Sequence, residues 1–407
     1  MSEPVAAISP EAFDLSRLPG TFYQDPFPTY HRLRREAPVL RCPDGSFFLT
    51  RYEDVRAVYR DPRRFSSDKR IQFAPLFGRE SALFEHHTTS LVFNDPPLHT
   101  HVRKAIGNAL SDRLVLALSP RLEALVDRLI DRITDLGRFD LVEHFAAAIP
   151  IEIISTLLRI PEAERGPLRR WSLSILGALE VGLDAAALEE GNRSVREFVD
   201  YLEGLLRDRR RRLSDEDDDI VARLLRWRGD GGGLTPHVLY HQCVFLLNAG
   251  HETTTNLITN GTVALLEHPE VTQTLRASPA LMDAFVEEAL RLESPNQLGN
   301  RTTTEPVEIG GVAVPAHSVV TLCIGAANRD PAVFEDPDRL RLDRASNPHL
   351  AFGAGIHTCA GLNVARLEGR VALSRLIRRL PELRFDGAPV RAHRARFRGF
   401  DQVLLSS

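Results

Sequence analysis

The stretch AFGAGIHTCAGL, residues 351–362, places Cys359 behind Gly353, Gly355 and His357 and just ahead of Gly361. Glycine permits positive φ and lets a backbone approach a flat or bulky group closely. The residues that follow, NVARLEGRVALSRLIRRL, have helical spacing, so the thiol stands where a helix begins. Unpaired N–H groups and the helix dipole stabilise a thiolate at such a place. A buried structural cysteine would account for the sulfur but for neither the glycines nor His357. A nucleophilic Cys-His pair usually draws its partners from distant sequence. A phosphate loop would need a following Lys-Ser/Thr pair, which is missing. A thiolate on a glycine-rich platform suits axial ligation of haem iron.

Outward from this loop, the strongest local signal is Thr235-Pro236, an N-cap followed by proline at the first helical position. It predicts a very long helix from Pro236 to about His268, ended by Pro269. Mid-span lies NAGHETTTN, residues 248–256. Gly250 costs about 1 kcal/mol there relative to alanine, and threonine hydroxyls can bond back to carbonyls one turn earlier. A local opening of the helix is therefore expected. Ala249 and Thr253 are i and i+4 on one face, with Gly250 nearby. Small residues leave room above a flat cofactor, a hydroxyl there can hydrogen-bond bound oxygen, and Glu252 is a carboxylate placed to relay protons.

The rest of the chain sets the frame. Its 407 residues are 43% hydrophobic and 26% charged, with formal net charge −4, which is a globular composition and gives no reason to expect nucleic acid or a membrane surface as main partner. Lysine occurs only at 69 and 104, a compositional bias towards arginine. The N-terminus lacks the pattern of a signal peptide, and no apolar run approaches a membrane span. Cys42, Cys243, Cys323 and Cys359 are scattered with no CxxC pair, so neither zinc nor disulfides are expected and a reducing cytoplasm is the default. Residues 38–50 predict a hairpin turning at Pro43-Asp44-Gly45, followed by a helix in RYEDVRAVYRD. Residues 66–98 read as a long connection with Phe73, Phe77, Phe84 and Phe93. From Leu98 to Trp227 the pattern is helical, interrupted at Pro120, Pro150 and Pro161. Residues 207–219 read as a solvated helix end and loop, and 230–236 as a flexible loop. A helix over 279–293, short strands within 307–325 and an irregular stretch over 328–348 complete the reading: mainly α with small β-sheets.

Phe352-Gly353-x-Gly355-x-His357-x-Cys359-x-Gly361 resembles the haem-binding loop of the cytochrome P450 family at every signature position, and the likeness runs from about Tyr23 to the C-terminus. The resemblance implies a single domain over 1–407, with about residues 1–20 as an N-terminal extension. It implies haem b held between the long central helix and the helix after the cysteine loop. Cys359 would be the proximal iron ligand, Phe352 its neighbour, and His357 would approach a propionate. Thr253 and Glu252 resemble the family's acid-alcohol pair, which steadies bound oxygen and delivers protons. DPPLHTHVRK supplies His99 and Arg103, and PNQLGNRTT supplies Arg301, as further propionate partners; His101 receives no role. Glu288 and Arg291 match the family's ExxR element, a buried structural ion pair whose third member best matches Arg339, with Arg341 and Arg344 as close rivals. The substrate pocket would draw on the 70–93 connection, Leu246, Leu247, Asn296, Gln297, Leu298 and a turn near 397–400. His86, His87 and Arg70 are assigned to pocket or surface.

These features imply a haem-thiolate monooxygenase, cytoplasmic and monomeric, acting on a small, largely apolar molecule. Electrons would come from a ferredoxin and its reductase, docking on a face that includes Arg103, Lys104, Arg113 and Arg366. The alternatives are a peroxide-using or isomerising haem-thiolate enzyme, a haem sensor or carrier without turnover, and a haem-free Cys-His hydrolase.

Overall fold

A computed structural model describes residues 6–180, 184–229 and 232–407. Residues 181–183, inside the expected helical run, and Asp230 and Gly231, inside the expected 230–236 loop, lie outside the described residues, as do residues 1–5 of the expected N-terminal extension. Helix dominates. The site is built by α1 (Ala82–Thr89), α2 (Leu98–Ala109), α3 (Asp112–Leu136), α4 (Ala148–Leu157), α5 (Leu168–Gly177), α6 (Ala185–Arg211), α7 (Pro236–Glu267), α8 (Met282–Leu292) and α9 (Leu362–Arg379). The start of α7 is as its sequence dictates: the Val238 N–H donates to Thr235 Oγ1 at 3.3 Å, and Pro236 fills the first position. Buried on nearly every side, α7 packs against α4, α5, α6, α8 and α9. That all-round burial makes it the axis of the molecule.

Two prolines do not break helices as expected. Pro120 lies inside α3 on its solvent side, beside exposed Leu116, where water can satisfy the carbonyl it leaves unpaired. Pro150 lies in the first turn of α4, where its missing N–H would have had no partner. The break comes instead at Gly137, φ +68°, which ends α3 and leads into a strand over Arg138–Asp140. The 66–98 connection is largely helical too, over Arg70–Phe77 and α1. Pro269 ends α7 but also starts a helix over Pro269–Ala277 that the sequence pattern did not suggest.

Strands β1 (Val39–Arg41), β2 (Phe47–Leu49), β3 (Phe65–Ser66), β4 (Leu298–Thr303) and β5 (Val319–Cys323) form one sheet in the order β1-β2-β5-β4-β3. The expected hairpin is β1 and β2, with Val39 opposite Leu49. The β2–β5 pairing is parallel, and β5 pairs antiparallel with β4, setting Arg301 opposite Val320. A hairpin over Val307–Ile309 and Val312–Val314 precedes β5, as expected. Not all of residues 1–20 stand apart from the core: Phe13 is fully buried, 4.8 Å from the Phe48 ring centroid. Among the described residues no helix is long and apolar enough to cross a membrane.

Candidate active site

The cysteine loop is a tight structure held by its own backbone. Cys359 N–H donates to Phe352 O at 2.9 Å, and Thr358 gives Gly355 O both its N–H, at 3.1 Å, and its hydroxyl, at 2.8 Å. Gly353 and Gly355 have φ of +68° and +72°, which side chains rarely tolerate, and a Cβ on Gly355 would overlap the Tyr59 carbonyl oxygen. Gly361 caps α9 and directs its N–H to the Cys359 sulfur. Phe352 lies beneath the Arg366 guanidinium, 5.0 Å from the ring centroid. Desolvation raises the Cys359 pKa, against the Gly361 N–H and the charges of Arg103 and Arg366. The helix-terminus effect anticipated from sequence is thus present but outweighed by the surrounding protein. A cation beside the sulfur would supply the missing counter-charge.

Cys359 lines a cavity of about 340 Å³, and Ala249, Gly250 and Thr253 of α7 line the same cavity. The i,i+4 face expected from the sequence is therefore the face that meets the cysteine loop. The expected opening of α7 is not found: the helix is continuous through 248–256. The Thr253 hydroxyl donates to Ala249 O at 3.0 Å and the Thr255 hydroxyl to His251 O at 2.9 Å, so the threonines bind the helix without breaking it. Gly250 has a packing reason, since a Cβ there would lie 2.9 Å from Ile154 Cδ1 of α4.

Glu252 does not line the cavity. Its carboxylate is buried and pairs with Arg394, leaving Oε2 without a partner. Burial raises its pKa to about 7, with Glu180 adding to the rise and Arg394 opposing it. A second acid, unanticipated from sequence, does line the cavity: Glu368 on α9, raised by burial to about 8 despite the Thr254 hydroxyl beside it. The helical spacing of Gly361, Val364, Ala365 and Glu368, all at the cavity, was a signal available in the sequence.

His99, Arg103, Arg301 and His357 converge on one side of this cavity. The His99 and His357 rings are 4.2 Å apart, Nε2 of His357 is buried without a hydrogen-bond partner, and the buried His99 ring has at most the Ile356 backbone as a hydrogen-bond partner. Burial, then the charge of Arg301, depresses the His357 pKa to about 2. Arg301 lies over the Tyr59 ring at 5.1 Å and, among the described residues, donates to Asn300 O. Lys69 lies behind this group and does not line the cavity: it is 2% exposed, its Nζ donates to Thr302 Oγ1 at 3.4 Å, and burial with Arg301 and Arg396 lowers its pKa to about 7. Being one of two lysines in an arginine-rich chain was its only mark in the sequence. An orphaned ring nitrogen and crowded cations facing a cavity want anions, and haem brings two carboxylates together with an iron for the sulfur. The residues present fit that group.

The structural ion pair is as expected in two members and different in the third. Arg291 donates through Nε and Nη2 to the two Glu288 oxygens at 2.7 and 2.9 Å, both side chains essentially unexposed. Arg339 is not the third member: its side chain is exposed, and only its carbonyl takes part, accepting from Arg291 Nη2 at 3.0 Å. Arg344 takes the place, its Nε donating to Glu288 Oε1 at 3.0 Å, with Asn347 Nδ2 on the same oxygen.

Of the expected pocket residues, Leu246, Asn296 and Leu298 line the cavity. Leu247 does not, being wholly inside the apolar core, and neither does Gln297, whose amide donates to Ser294 O and packs on Gly325. Phe93 is at the cavity, whereas Phe73 and Phe77 pack behind it against His87. His86 and His87 line it and Arg70 does not, pairing instead with Asp68. Leu157, Leu158, Leu176 and Leu179, from α4, α5 and the turn after α5, extend an apolar wall that the sequence did not point to.

The cytochrome P450 family profile matches residues 183–381. Cytochrome P450 monooxygenase PikC of Streptomyces venezuelae is 39% identical over 94% of this chain and 90% of its own length. The 6-deoxyerythronolide B hydroxylase of Saccharopolyspora erythraea is 36% identical, over 89% and 90%. Among solved structures, CalO2 superposes with a TM-score of 0.90 at 32% identity, covering 97% of this chain and 98% of that one. P450BioI, crystallised with an acyl carrier protein bearing hexadec-9Z-enoic acid, gives 0.89 at 30% identity, covering 96% and 100%. The chain belongs to the cytochrome P450 family, and it is a haem b monooxygenase with that family's single-domain fold.

Proposed function

We propose that this monooxygenase acts in the cytoplasm, as a monomer, on a small and largely apolar molecule, with electrons delivered by a separate redox protein such as a ferredoxin. The observation that carries the reading is the cavity itself: the Cys359 sulfur and the Thr253 hydroxyl open onto one space whose further walls are largely apolar, leucine and phenylalanine above all, with His86, His87 and Asn296 among the polar exceptions away from the cation cluster. Cys359 would hold the haem iron, with Phe352, Gly353, Gly355 and Gly361 shaping its loop. His99, Arg103, Arg301 and His357 would hold the propionates, and Ala249 and Gly250 leave room above the ring. When bound, haem supplies oxygen binding and the oxidising power to insert one oxygen atom into substrate.

The chain's own groups handle the protons. Thr253 Oγ1 now donates to Ala249 O, and rotation about χ1 would turn that donor into the cavity. Glu252, with a pKa near 7 and an Oε2 without a partner, can take a proton beside Arg394 and would deliver it towards Thr253 once its carboxylate swings away from Arg394. Lys104 and Arg113 are exposed and Arg366, which pairs with Glu287, is partly so; these are the cations we assign to the docking face. Arg103 is turned to the cavity and is better placed there.

Thr253→Ala tests the assignment. The variant should bind an apolar substrate with unchanged affinity, read from the iron spin-state shift, while product per reducing equivalent falls at least about tenfold and peroxide rises correspondingly. Coupling equal to that of the parent protein would remove Thr253 from the mechanism. Gly250→Ala is expected to weaken the molecule by up to about 2 kcal/mol net, because the clash of the new methyl with Ile154 is set against about 1 kcal/mol of helix propensity gained. Urea unfolding of the holoprotein measures this, and a raised midpoint would show that α4 gives way freely.

A further inference from the structure

We infer that Glu85, His237 and His241 form a binding site for a divalent transition-metal ion of the zinc class, one that clips α1 to the first turns of α7. His237 and His241 are i and i+4 at the start of α7 and so share a face. Glu85 comes to that face from α1. One ligand atom from each of the three lies within 4.8 Å of the others, and Glu85 Oε1 is 3.7 Å from His237 Nδ1. In a tetrahedral zinc site with bonds of about 2.0–2.2 Å, ligand atoms stand about 3.3–3.6 Å apart, so small side-chain rotations close the triad. Two imidazoles and a carboxylate are a ligand set that zinc takes with a water in the fourth position.

The surroundings resemble a site more than a chance surface grouping. Glu85 and His237 are about half exposed, at 57% and 52%, which leaves an ion a path in, while His241 is buried. The His237 and His241 rings meet edge-on, centroids 4.7 Å apart. Behind them, His86 Nδ1 lies 3.4 Å from His241 Nδ1, so a His241 that ligates through its other nitrogen has a neighbour to accept its remaining N–H. Metal-ligating histidines are oriented by outer partners of this kind. His86 also lines the haem and substrate cavity. An ion held by the triad would therefore fix α1 by its outer side while His86 and His87 form cavity wall on its inner side, coupling metal occupancy to the stiffness of that wall.

The test uses untagged holoenzyme stripped with EDTA and then dialysed against Zn²⁺. The parent protein should retain one Zn²⁺ per chain, and amide exchange over residues 82–89 should slow when zinc is present. Glu85→Gln and His237→Ala, both at exposed positions, should keep the haem spectrum of the parent and weaken zinc binding at least tenfold. Zinc retained equally by these variants, or no zinc retained by the parent, would overturn the site. Zinc bound at the triad with exchange over 82–89 unaltered would overturn the clip.

Discussion

A Cys359→Ala protein is expected to lose the strongly red-shifted Soret band of the reduced, carbon monoxide-bound form, and monooxygenation should fall below detection. The loop should survive the change. Its shape rests on the bond from the residue 359 N–H to Phe352 O, on the Gly355 carbonyl and on two glycines with positive φ, none of which needs the sulfur. Alanine therefore removes the ligand and leaves the cavity, its cations and α7 in place. The loss should be chemical, not a loss of fold, and near-native secondary structure by circular dichroism is the control. Cys243 and Cys323 are wholly buried away from the cavity, so alanine at either should keep the band. A red-shifted band that persists in Cys359→Ala would place the iron ligand elsewhere and remove the basis of the functional reading.

That prediction is so sharp because the cysteine loop is contiguous: sequence neighbours are also spatial neighbours, and Gly353 and Gly355 answer a local need for positive φ. The same holds for the start of α7, where Thr235 and Pro236 act within one turn. Legibility fails where a side chain's partner comes from elsewhere in the chain. Spacing put Glu252 beside Thr253 but could not show that Arg394, 142 residues on, draws its carboxylate away from the cavity. Leu246 and Leu247 look alike in sequence, yet one faces the cavity and the other the core. Period alone cannot say which neighbouring element covers a face of a helix that is buried all round. Pro120 misled for a related reason, because the cost of a proline depends on whether water reaches the carbonyl it strands.

Arg339 was misassigned because its carbonyl, not its guanidinium, is what the buried pair uses, and this difference carries the second large prediction. Arg291→Ala should destabilise the protein by about 3–5 kcal/mol, since it leaves Glu288 and Arg344 buried with the pair broken. Against a total stability of about 5–15 kcal/mol, that loss is large enough to lower the yield of haem-loaded protein. Arg344→Ala removes the charged hydrogen bond to Glu288 and more exposed ones to the carbonyls of Glu335, Asp336 and Arg339, and should cost about 1.5–3 kcal/mol. Arg339→Ala keeps its carbonyl and should stay within about 0.5 kcal/mol of the parent. Urea unfolding of the three proteins decides the matter, and an Arg339→Ala as damaging as Arg344→Ala would reverse the assignment. Acid adds an independent check. Burial alone would raise the Glu288 pKa, but hydrogen bonding and charge from Arg291, the Arg341 N–H and Arg344 outweigh it and hold the carboxyl below its ordinary value. A depressed carboxylate contributes stability above its unfolded pKa of about 4.3 and loses it as pH falls towards the folded value. Glu288→Gln should therefore lower stability at pH 7 yet flatten its decline below about pH 4.3, and an acid limb as steep as the parent's would mean that Glu288 is not a source of it.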